Sequence, residues 1–214
     1  YWAFQSRFVL LNYFDQPVGA SYAALKNILK DKNYHIITTN ADNAFDVAGY
    51  DMDKVFHIQG KYGLMQCSKH CHAKTYQDEA LMRRLAEEQE NMEVDYRSIP
   101  LCPQCGAPLE VNKRNAEKGM VEDPIFFEHL DKYNEFLENN RDKKTLFIEI
   151  GVGFTTPQFI KYPFYRELDK NPNALMVTMN QKKYQFPERI ASRVLWFNQN
   201  SKDLTLEVEE LLKK

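Results

Sequence analysis

The four cysteines of the chain fall into two short pairs, and paired thiolates of this kind are typical zinc ligands. Cys67 and Cys71 lie in CSKHC, and Cys102 and Cys105 lie in CPQC. Two such loops facing each other can direct four sulfur atoms at one ion in the tetrahedral arrangement of structural zinc sites. The spacing within the first pair and the long gap between pairs require a helical excursion, which DEALMRRLAEEQE supplies. The pattern predicts one structural zinc ion.

Two other interpretations of the cysteines stay open, namely disulfides in a secreted chain and four unrelated buried thiols. The absence of a signal-peptide pattern at the start disfavours the first, and the clustering disfavours the second. His70 and His72 flank Cys71 and could replace one cysteine ligand. Because the four cysteines can already supply all four zinc ligands, we expect both histidines to be solvent-exposed loop residues.

Polar loops follow several Ile- and Val-rich segments that read as strands. TTNAD places Asn40 and Asp42 after the first strand, and Gln59-Gly60 follows KVFHI. GVGFTTP follows TLFIEI and offers small residues and hydroxyls to a ribose or phosphate. Each loop alone is equally compatible with an ordinary turn. Ligands of open parallel sheets bind beyond the carboxyl ends of the strands, so the three loops together indicate a ligand site.

The elements around these loops alternate between strand and helix. We expect strands at Tyr34 to Thr39, TLFIEI, ALMVTM and RVLWF, with helices near Pro124 to Leu137 and Leu204 to Leu212. This order predicts an α/β fold, a Rossmann-like parallel sheet with helices on both faces and a small zinc-binding insert. The expected divisions are residues 1–61 and 114–214 for the two parts of the Rossmann-like domain, and 62–113 for the zinc-binding domain.

Two further helices are expected before the first strand. Near the start, an apolar stripe is formed by Trp2, Phe4, Phe8, Val9 and Leu11. After Pro17 and Gly19, Ser21 is expected to cap a helix that buries Tyr22, Leu25, Ile28 and Leu29. Because the chain begins without Met inside a helical pattern, we expect further sequence upstream.

The composition excludes several classes of protein. With 214 residues, 43% of them hydrophobic and 27% charged, the chain can bury a globular core and is not of disordered composition. A formal net charge of −2 gives no basic face for nucleic acid. No apolar run reaches the roughly 20 residues of a membrane span. We therefore expect a cytoplasmic protein that binds neither nucleic acid nor membrane.

Taken together, the loops and the cysteines resemble one family, the sirtuins, and above all the macrodomain-linked class M sirtuins of microbes. TTNAD is similar to the family's Thr-Gln-Asn-Ile-Asp motif, IQG to its His-Gly motif and GVGFTT to its Gly-Thr-Ser loop. MVTMNQ is similar to the strand and Asn that hold the adenosine ribose, and QGKYGLMQC, CPQCG and GVGFTTPQFIKYPF resemble class M sequences. The resemblance runs from about Tyr34 to Asn180.

The resemblance implies an NAD site. It assigns catalytic roles to Asn40, which would order the ribose hydroxyls and water, and to Gln59. It implies NAD contacts from eight residues, which are Thr39, Asn40, Asp42, Gln59, Gly151, Gly153, Thr155 and Asn180. Breaking the glycosidic bond builds positive charge on the ribose carbon, and polar groups fixed beside that carbon stabilise it.

The sequence departs from the sirtuin pattern in two ways. The glycine-rich phosphate-binding loop of the family precedes everything seen here, and no such motif occurs before Tyr34. Gly60 sets the register of the His-Gly motif, so Gln59 occupies the position of the catalytic histidine, and an amide cannot accept a proton as an imidazole does. His57 lies two strand residues away, about 6.6 Å, and is expected to be a packing or surface residue.

Without that histidine, deacylation should stall, whereas transfer of ADP-ribose to a protein needs less of the relay. The class M resemblance implies an NAD-dependent protein mono-ADP-ribosyltransferase. Its implied acceptor is a lipoyl-carrier protein resembling the glycine-cleavage H protein, and its implied partner is a macrodomain hydrolase that reverses the reaction. A deacylase or NAD hydrolase, and a zinc-stabilised binding module without catalysis, remain the alternatives.

Overall fold

The computed structural model of the chain describes residues 1–213 and has an α/β fold. Its helices are α1 (Trp2–Val9), α2 (Ala20–Leu29), α3 (Ala44–Val47), α4 (Glu79–Glu88), α5 (Pro124–Asn139), α6 (Lys161–Lys170), α7 (Glu188–Ala191) and α8 (Ser201–Leu212). Its strands are β1 (Ile36–Thr38), β2 (Val55–His57), β3 (Gly60–Cys67), β4 (Leu109–Lys113), β5 (Leu146–Ile150), β6 (Leu175–Met179) and β7 (Val194–Phe197). Among these residues, no helix has both the length and the apolar character that a membrane span needs.

The chain forms two compact units. The first consists of residues 1–18 and 38–131, and the second of residues 19–37 and those from Lys132 onward. Each unit has its own apolar core. The three-part division at residues 61 and 113 stays a prediction.

In the first unit, two helices pack with an antiparallel pair of strands. Strands β3 and β4 pair with Met65 opposite Val111 and Cys67 opposite Leu109. Helix α4 fills the long gap between the cysteine pairs, as the sequence predicts. The Asp78 carboxylate caps it by accepting the N–H of Leu81 at 2.8 Å. Its buried residues are Leu81, Met82 and Leu85, whose spacing places them on one face.

Helix α1 forms as predicted, but its buried face differs from the expected stripe. Trp2 and Val9 are buried, whereas Phe4 and Leu11 are 54% and 69% exposed. Ser6, between Trp2 and Val9 on the same face, is also buried. Helix α1 packs against α4, and Trp2 and Val9 share an apolar core with Leu81, Met82 and Leu85. The apolar spacing in the sequence does not reveal this buried face, because the polar residue Ser6 interrupts it.

The second unit is built on a parallel three-stranded sheet in the order β5-β6-β7. Phe147 lies opposite Met176, and Thr178 lies opposite Trp196. The side chains on one face pack against α6 and α7 through residues such as Leu168 and Ile190. This arrangement confirms the predicted strands and their parallel direction.

The opposite face of this sheet differs from the expectation that helices cover both sides. Within residues 1–213 its apolar side chains are substantially exposed, and those at least 36% exposed are Leu146, Ile150, Leu175, Leu195 and Phe197. Parallel strands are commonly apolar on both faces, and these strands have that composition.

Helices α2 and α8 pack against each other in the same unit. Helix α2 begins at Ala20 with Gly19 as its N-cap, so Ser21 lies inside the helix and the predicted cap is wrong.

Candidate functional site

The four cysteines converge on one point in the first unit. All four Sγ atoms lie within 4.8 Å of one another. Cys67 Sγ is 3.5 Å from Cys105 Sγ, and Cys71 Sγ is 3.6 Å from Cys102 Sγ. A tetrahedral zinc ion with Zn–S bonds of about 2.3 Å separates its sulfur ligands by about 3.8 Å. The donor set and its spacing therefore fit zinc, as the sequence predicts.

Two backbone turns with left-handed residues hold the cysteines in place. In the first, His70 has φ 47° and its N–H donates to the Cys67 carbonyl at 2.9 Å. In the second, Gly106 has φ 70° and its N–H donates to the Cys102 carbonyl at 2.9 Å. A turn in each loop lets its two thiols face the same point. The three intervening residues of the first pair are accommodated by the left-handed His70.

The structure corrects the expectation that His70 and His72 are solvent-exposed. His70 Nε2 lies 2.9 Å from Gln66 Nε2 and 3.7 Å from a Glu110 carboxylate oxygen. His72 Nδ1 lies 3.0 Å from Cys71 Sγ, and its Nε2 lies 2.6 Å from the Tyr76 hydroxyl. Both rings are therefore partly buried and engaged. His72 is placed to donate to a Cys71 thiolate, which stabilises the charged ligand.

A buried amide network ties strand β3 to the segment after β4. The Gln66 carbonyl oxygen accepts from Asn112 Nδ2 at 2.8 Å and from the Val121 N–H at 2.7 Å. Asn112 Nδ2 also donates to the Val121 carbonyl at 2.9 Å. Gln66 directly precedes the ligand Cys67, and Asn112 contacts the turn at Gly60. This network couples the cysteine cluster to the turn that carries Gln59.

The loop after β1 presents Asn40 on the surface of the first unit. Its backbone N–H donates to Thr38 Oγ1 at 3.0 Å, and its carbonyl lies 3.1 Å from His57 Nδ1. Two residues later, the Asp42 carboxylate accepts the Ala44 N–H at 3.0 Å and so holds the start of α3. Asn40 is exposed, whereas Thr39 and Asp42 are half-buried. The loop backbone is thus fixed on both sides of an accessible amide.

His57, expected to be a packing or surface residue, is buried at the end of β2. It is 6% exposed and directly contacts the candidate catalytic loop. Burial first, and then the nearby Lys61 ammonium, lower the pKa of the His57 imidazole to about 4. Burial likewise lowers the pKa of Lys61, opposed by Asp46 and Asp123. His57 is therefore a neutral buried imidazole at physiological pH.

Gln59 lies in the tight turn between β2 and β3. Its carbonyl accepts the Arg114 N–H at 3.1 Å, and the Arg114 guanidinium donates to the Ile58 carbonyl at 3.1 Å. Arg114 in turn pairs with Glu122 at 2.6 Å. The next residue, Gly60, has φ 91°, and a Cβ there would lie 2.2 Å from the Asn112 carbonyl oxygen. Only glycine fits this position, so the register of Gln59 is fixed.

The remaining candidate NAD residues lie in the second unit, at the carboxyl ends of β5 and β6. Gly151 has φ 68°, and its N–H donates to the Met179 carbonyl at 2.9 Å. Asn180 Nδ2 donates to the Val152 carbonyl at 3.1 Å, which joins the two strand ends. Gly153 and the exposed Thr155 follow in the same loop. The structure brings this group together. In the first unit, the Ile58 N–H donates to the Thr38 carbonyl at 3.1 Å, which places Gln59 close in the chain to a contact with the loop of Thr39, Asn40 and Asp42.

Sequence reasoning missed a buried ion pair beneath the second group. Lys161, the first residue of α6, lies 2.6 Å from the Glu149 carboxylate, and both side chains are fully buried. Thr178 Oγ1 donates to the same Glu149 oxygen at 2.9 Å. Lys161 Nζ also lies 5.2 Å and 4.9 Å from the ring centres of Phe154 and Tyr184. The sequence does contain an indication of this pair, because Glu149 interrupts the apolar run TLFIEI and Lys161 interrupts the apolar run FIKYPF.

Comparison with curated proteins finds two relatives. The chain is 58% identical over 195 residues to a protein ADP-ribosyltransferase of Staphylococcus aureus, covering 91% of this chain and 62% of that protein. It is 29% identical over 133 residues to a probable bifunctional ADP-ribose hydrolase/ADP-ribosyltransferase of Fusarium oxysporum f. sp. cubense, covering 59% of this chain and 22% of that protein. The chain therefore spans less than two thirds of either relative. No protein-family model matches it.

Comparison with solved structures finds the Sir2 fold. A Sir2 complex with a p53 peptide and NAD⁺ superposes with a TM-score of 0.61 at 17% identity, covering 93% of this chain and 72% of that one. A Sir2 homologue in complex with NAD gives a TM-score of 0.60 at 15% identity, covering 92% of this chain and 65% of that one. At such identities the likeness establishes a common fold, which confirms the fold expected from the loops and cysteines.

Proposed function

We propose that this chain is a member of the sirtuin family and supplies catalytic residues of an NAD-dependent protein ADP-ribosyltransferase. The observation that carries the proposal is the 58% identity to a protein ADP-ribosyltransferase over 91% of the chain. The Sir2 fold, seen with NAD in related structures, supports the choice of NAD as substrate. The loops at the strand ends supply the polar groups that the chemistry needs.

The proposed reaction breaks the bond between the nicotinamide nitrogen and the ribose carbon. Nicotinamide leaves with the bonding electron pair, the ribose carbon gains positive charge, and a protein nucleophile forms a bond to that carbon and loses its proton. Asn40 would hold the ribose hydroxyls and a water through its exposed amide. Because its backbone is already fixed at both sides, this amide stabilises developing charge with little reorganisation. Asp42 would keep the loop in place through Ala44, and Thr39 would contribute at its edge.

Gln59 would orient the ribose or the acceptor by hydrogen bonds. Its amide can donate and accept hydrogen bonds but cannot take up a proton at neutral pH. Deacylation in sirtuins, as the resemblance implies, requires an imidazole at this position. Attack of a protein nucleophile on the ribose carbon requires no such base at Gln59. The residue therefore favours transfer over deacylation.

The second unit carries the residues that we propose contact the adenosine part of NAD. Gly151 and Gly153 allow a phosphate or ribose to approach the backbone closely, and Thr155 offers a hydroxyl. Asn180 is the proposed ribose contact at the end of β6. Its bond to the Val152 carbonyl supports this assignment because it joins the two loops.

Zinc has a structural role in this proposal. Cys67, Cys71, Cys102 and Cys105 would hold the ion, and four thiolates leave no open position for substrate. The cluster would fix the small domain, expected at residues 62–113, against the Gln59 turn through Gln66. Because thiolate sites of this kind persist in reducing compartments, the cytoplasmic location expected from the sequence belongs to the same proposal.

The proposed acceptor is a lipoyl-carrier protein, and the proposed partner is a macrodomain hydrolase. The acceptor rests on the class M resemblance of motifs such as CPQCG and GVGFTTPQFIKYPF. The partner is supported by the Fusarium relative, whose name joins an ADP-ribose hydrolase to an ADP-ribosyltransferase in one protein. Neither needs a nucleic-acid or membrane surface.

The test uses NAD labelled in its adenosine part, a lipoyl-carrier protein as acceptor and, in parallel, an acetyl-lysine peptide. We expect label on the carrier and little deacetylation. Asn40→Ala and Gln59→Ala should each lower transfer by one to three decades, about the range for losing a positioned transition-state partner. The exposed residues Asn139 and Gln77 provide matched control substitutions to Ala, which should leave transfer unchanged.

Each rival function predicts a different result in these assays. Nicotinamide release with no label on protein would identify an NAD hydrolase. Robust deacetylation that survives Gln59→Ala and disappears in His57→Ala would show a deacylase with His57 as its base. Absence of any NAD consumption by the complete protein, folded and loaded with zinc, would leave a binding module and refute the proposal.

A further inference from the structure

The contact between His57 and Asn40 joins a buried imidazole to the loop with the proposed catalytic amide. His57 Nδ1 lies 3.1 Å from the Asn40 backbone carbonyl. A carbonyl oxygen can only accept a hydrogen bond, so Nδ1 must carry the proton when this bond forms. The contact therefore selects one tautomer of the neutral ring. It also ties the end of β2 to a residue 17 positions earlier in the chain.

The surroundings of the ring disfavour a role as a proton acceptor. His57 is 6% exposed, and the ionisable groups that act on it are Lys61 from β3 and His129 from α5. Both oppose a positive charge on the imidazole, as does burial itself. A group that holds its proton on Nδ1 and resists a second proton is suited to fixing geometry. The Asn40 loop is the element that it fixes.

We propose that His57 is a positioning residue for ADP-ribosyl transfer, holding the Asn40 carbonyl so that the exposed Asn40 amide keeps its orientation toward the ribose. The inference rests on the proposed function, because it assigns His57 a role in that reaction. Thr38 Oγ1 holds the N–H of Asn40, and His57 holds its carbonyl. Two bonds to one residue fix the peptide planes on both sides of it. The side chain of Asn40 then leaves the backbone in a defined direction.

Two substitutions separate this role from acid–base chemistry and from simple packing. His57→Asn keeps an N–H donor close to the place of Nδ1, whereas His57→Leu keeps a similar volume and removes the donor. A positioning role predicts that Asn restores what Leu removes. A proton-accepting role predicts that Asn and Leu fail alike, since neither side chain titrates.

The expected effects are measured on transfer kinetics and on the loop itself. His57→Leu should lower kcat by about ten- to hundredfold, because a 1 Å misplacement in an active site can cost about 100-fold. The KM for NAD should change less than kcat. His57→Asn should stay within about threefold of wild type in both. Hydrogen exchange of the amides at residues 39–43 should accelerate in His57→Leu and not in His57→Asn.

The outcomes distinguish this inference from the proposed function. Nitrogen NMR of the wild-type ring should show the proton on Nδ1, and a proton on Nε2 would overturn the inference whatever the activity. Equal loss of kcat in the Asn and Leu variants, with normal exchange at residues 39–43, would also overturn it. If wild type transfers no ADP-ribose, the proposed function fails, and with it the catalytic part of the inference, while the exchange data still decide the contact.

Discussion

Replacing Lys161 by Met should destabilise the second unit strongly, because the change leaves a carboxylate buried without its counter-charge. Both side chains of the Lys161–Glu149 pair are 0% exposed, and their N–O distance is 2.6 Å. In the variant, Glu149 keeps one hydrogen bond, from Thr178, to the oxygen that Lys161 has left. Its other oxygen, Oε2, is buried and accepts no hydrogen bond from residues 1–213. Among the described residues, Lys161 is the only cation paired with Glu149, so the variant leaves a carboxyl group that must stay charged without a partner or take up a proton.

The size of the expected destabilisation follows from the free energy that is lost when a buried ion pair is broken. Removing one partner of a buried ion pair typically costs about 3–5 kcal/mol. For a chain of roughly 200 residues, each kcal/mol lowers Tm by about 2–4 °C, so the expected drop is roughly 6–20 °C. Glu149→Gln combined with Lys161→Met removes both charges and keeps an acceptor for Thr178. That double variant should recover most of the loss.

Helix α6 also carries its own control for this experiment. Lys170 pairs with Glu167 at 2.8 Å, but its side chain is 54% exposed. Exposed pairs contribute about 0–1 kcal/mol, so Lys170→Met should change Tm by no more than a few degrees. Melting followed by circular dichroism, with urea unfolding as a second measure, provides the comparison. If Lys161→Met lowers Tm no more than Lys170→Met, the buried pair does not stabilise the unit as argued.

Two other predictions concern the first unit. Purified, folded protein should contain one zinc ion per chain by elemental analysis. Cys102→Ala should give an aggregating protein because zinc binding supplies folding free energy. Metal-free protein that melts at the same temperature as the zinc-loaded form would contradict this prediction. The pKa of His57 is about 4 in the folded state and about 6.5 in the unfolded state, so between these pH values the unfolded state binds more protons. The free energy of unfolding should therefore fall as the pH drops from 6.5 toward 4. The fall is at most about 3 kcal/mol by linkage, and urea unfolding should show it in wild type and lose it in His57→Asn, whereas identical slopes would contradict a neutral buried His57.

The parts of the fold that the sequence predicts well are those with local signals. Strands such as TLFIEI and ALMVTM have apolar, β-branched runs, and helix α4 has a cap at Asp78 and a regular buried face. The cysteine site was predictable because the chemistry of zinc needs four donors and the spacing shows them. These features are decided within a few residues of chain, so tertiary context changes them little.

The parts that sequence reasoning missed depend on which face of an element meets the core. In β5, Leu146 and Ile150 look like core residues, yet Phe147 and Glu149 point to the side packed by α6. Strand period alone cannot choose between two apolar faces. The burial of Glu149 makes sense only with Lys161, which is supplied by another element. For the same reason the contact between His57 and the Asn40 carbonyl could not be seen in the sequence.

By its resemblance to the sirtuins, Gln59 occupies the position of that family's relay histidine, and the turn that carries Gln59 has a fixed geometry. Gly60 adopts φ 91° against the Asn112 carbonyl, where a side chain has no room, so the turn cannot slip by one residue. Arg114 donates hydrogen bonds to the backbone carbonyls of Ile58 and Gln59. A side chain carried on a backbone held in this way can orient a substrate at reduced entropic cost, and an amide there cannot remove a proton. In the proposed function, transfer to an external nucleophile uses the framework of this turn and needs no base at Gln59.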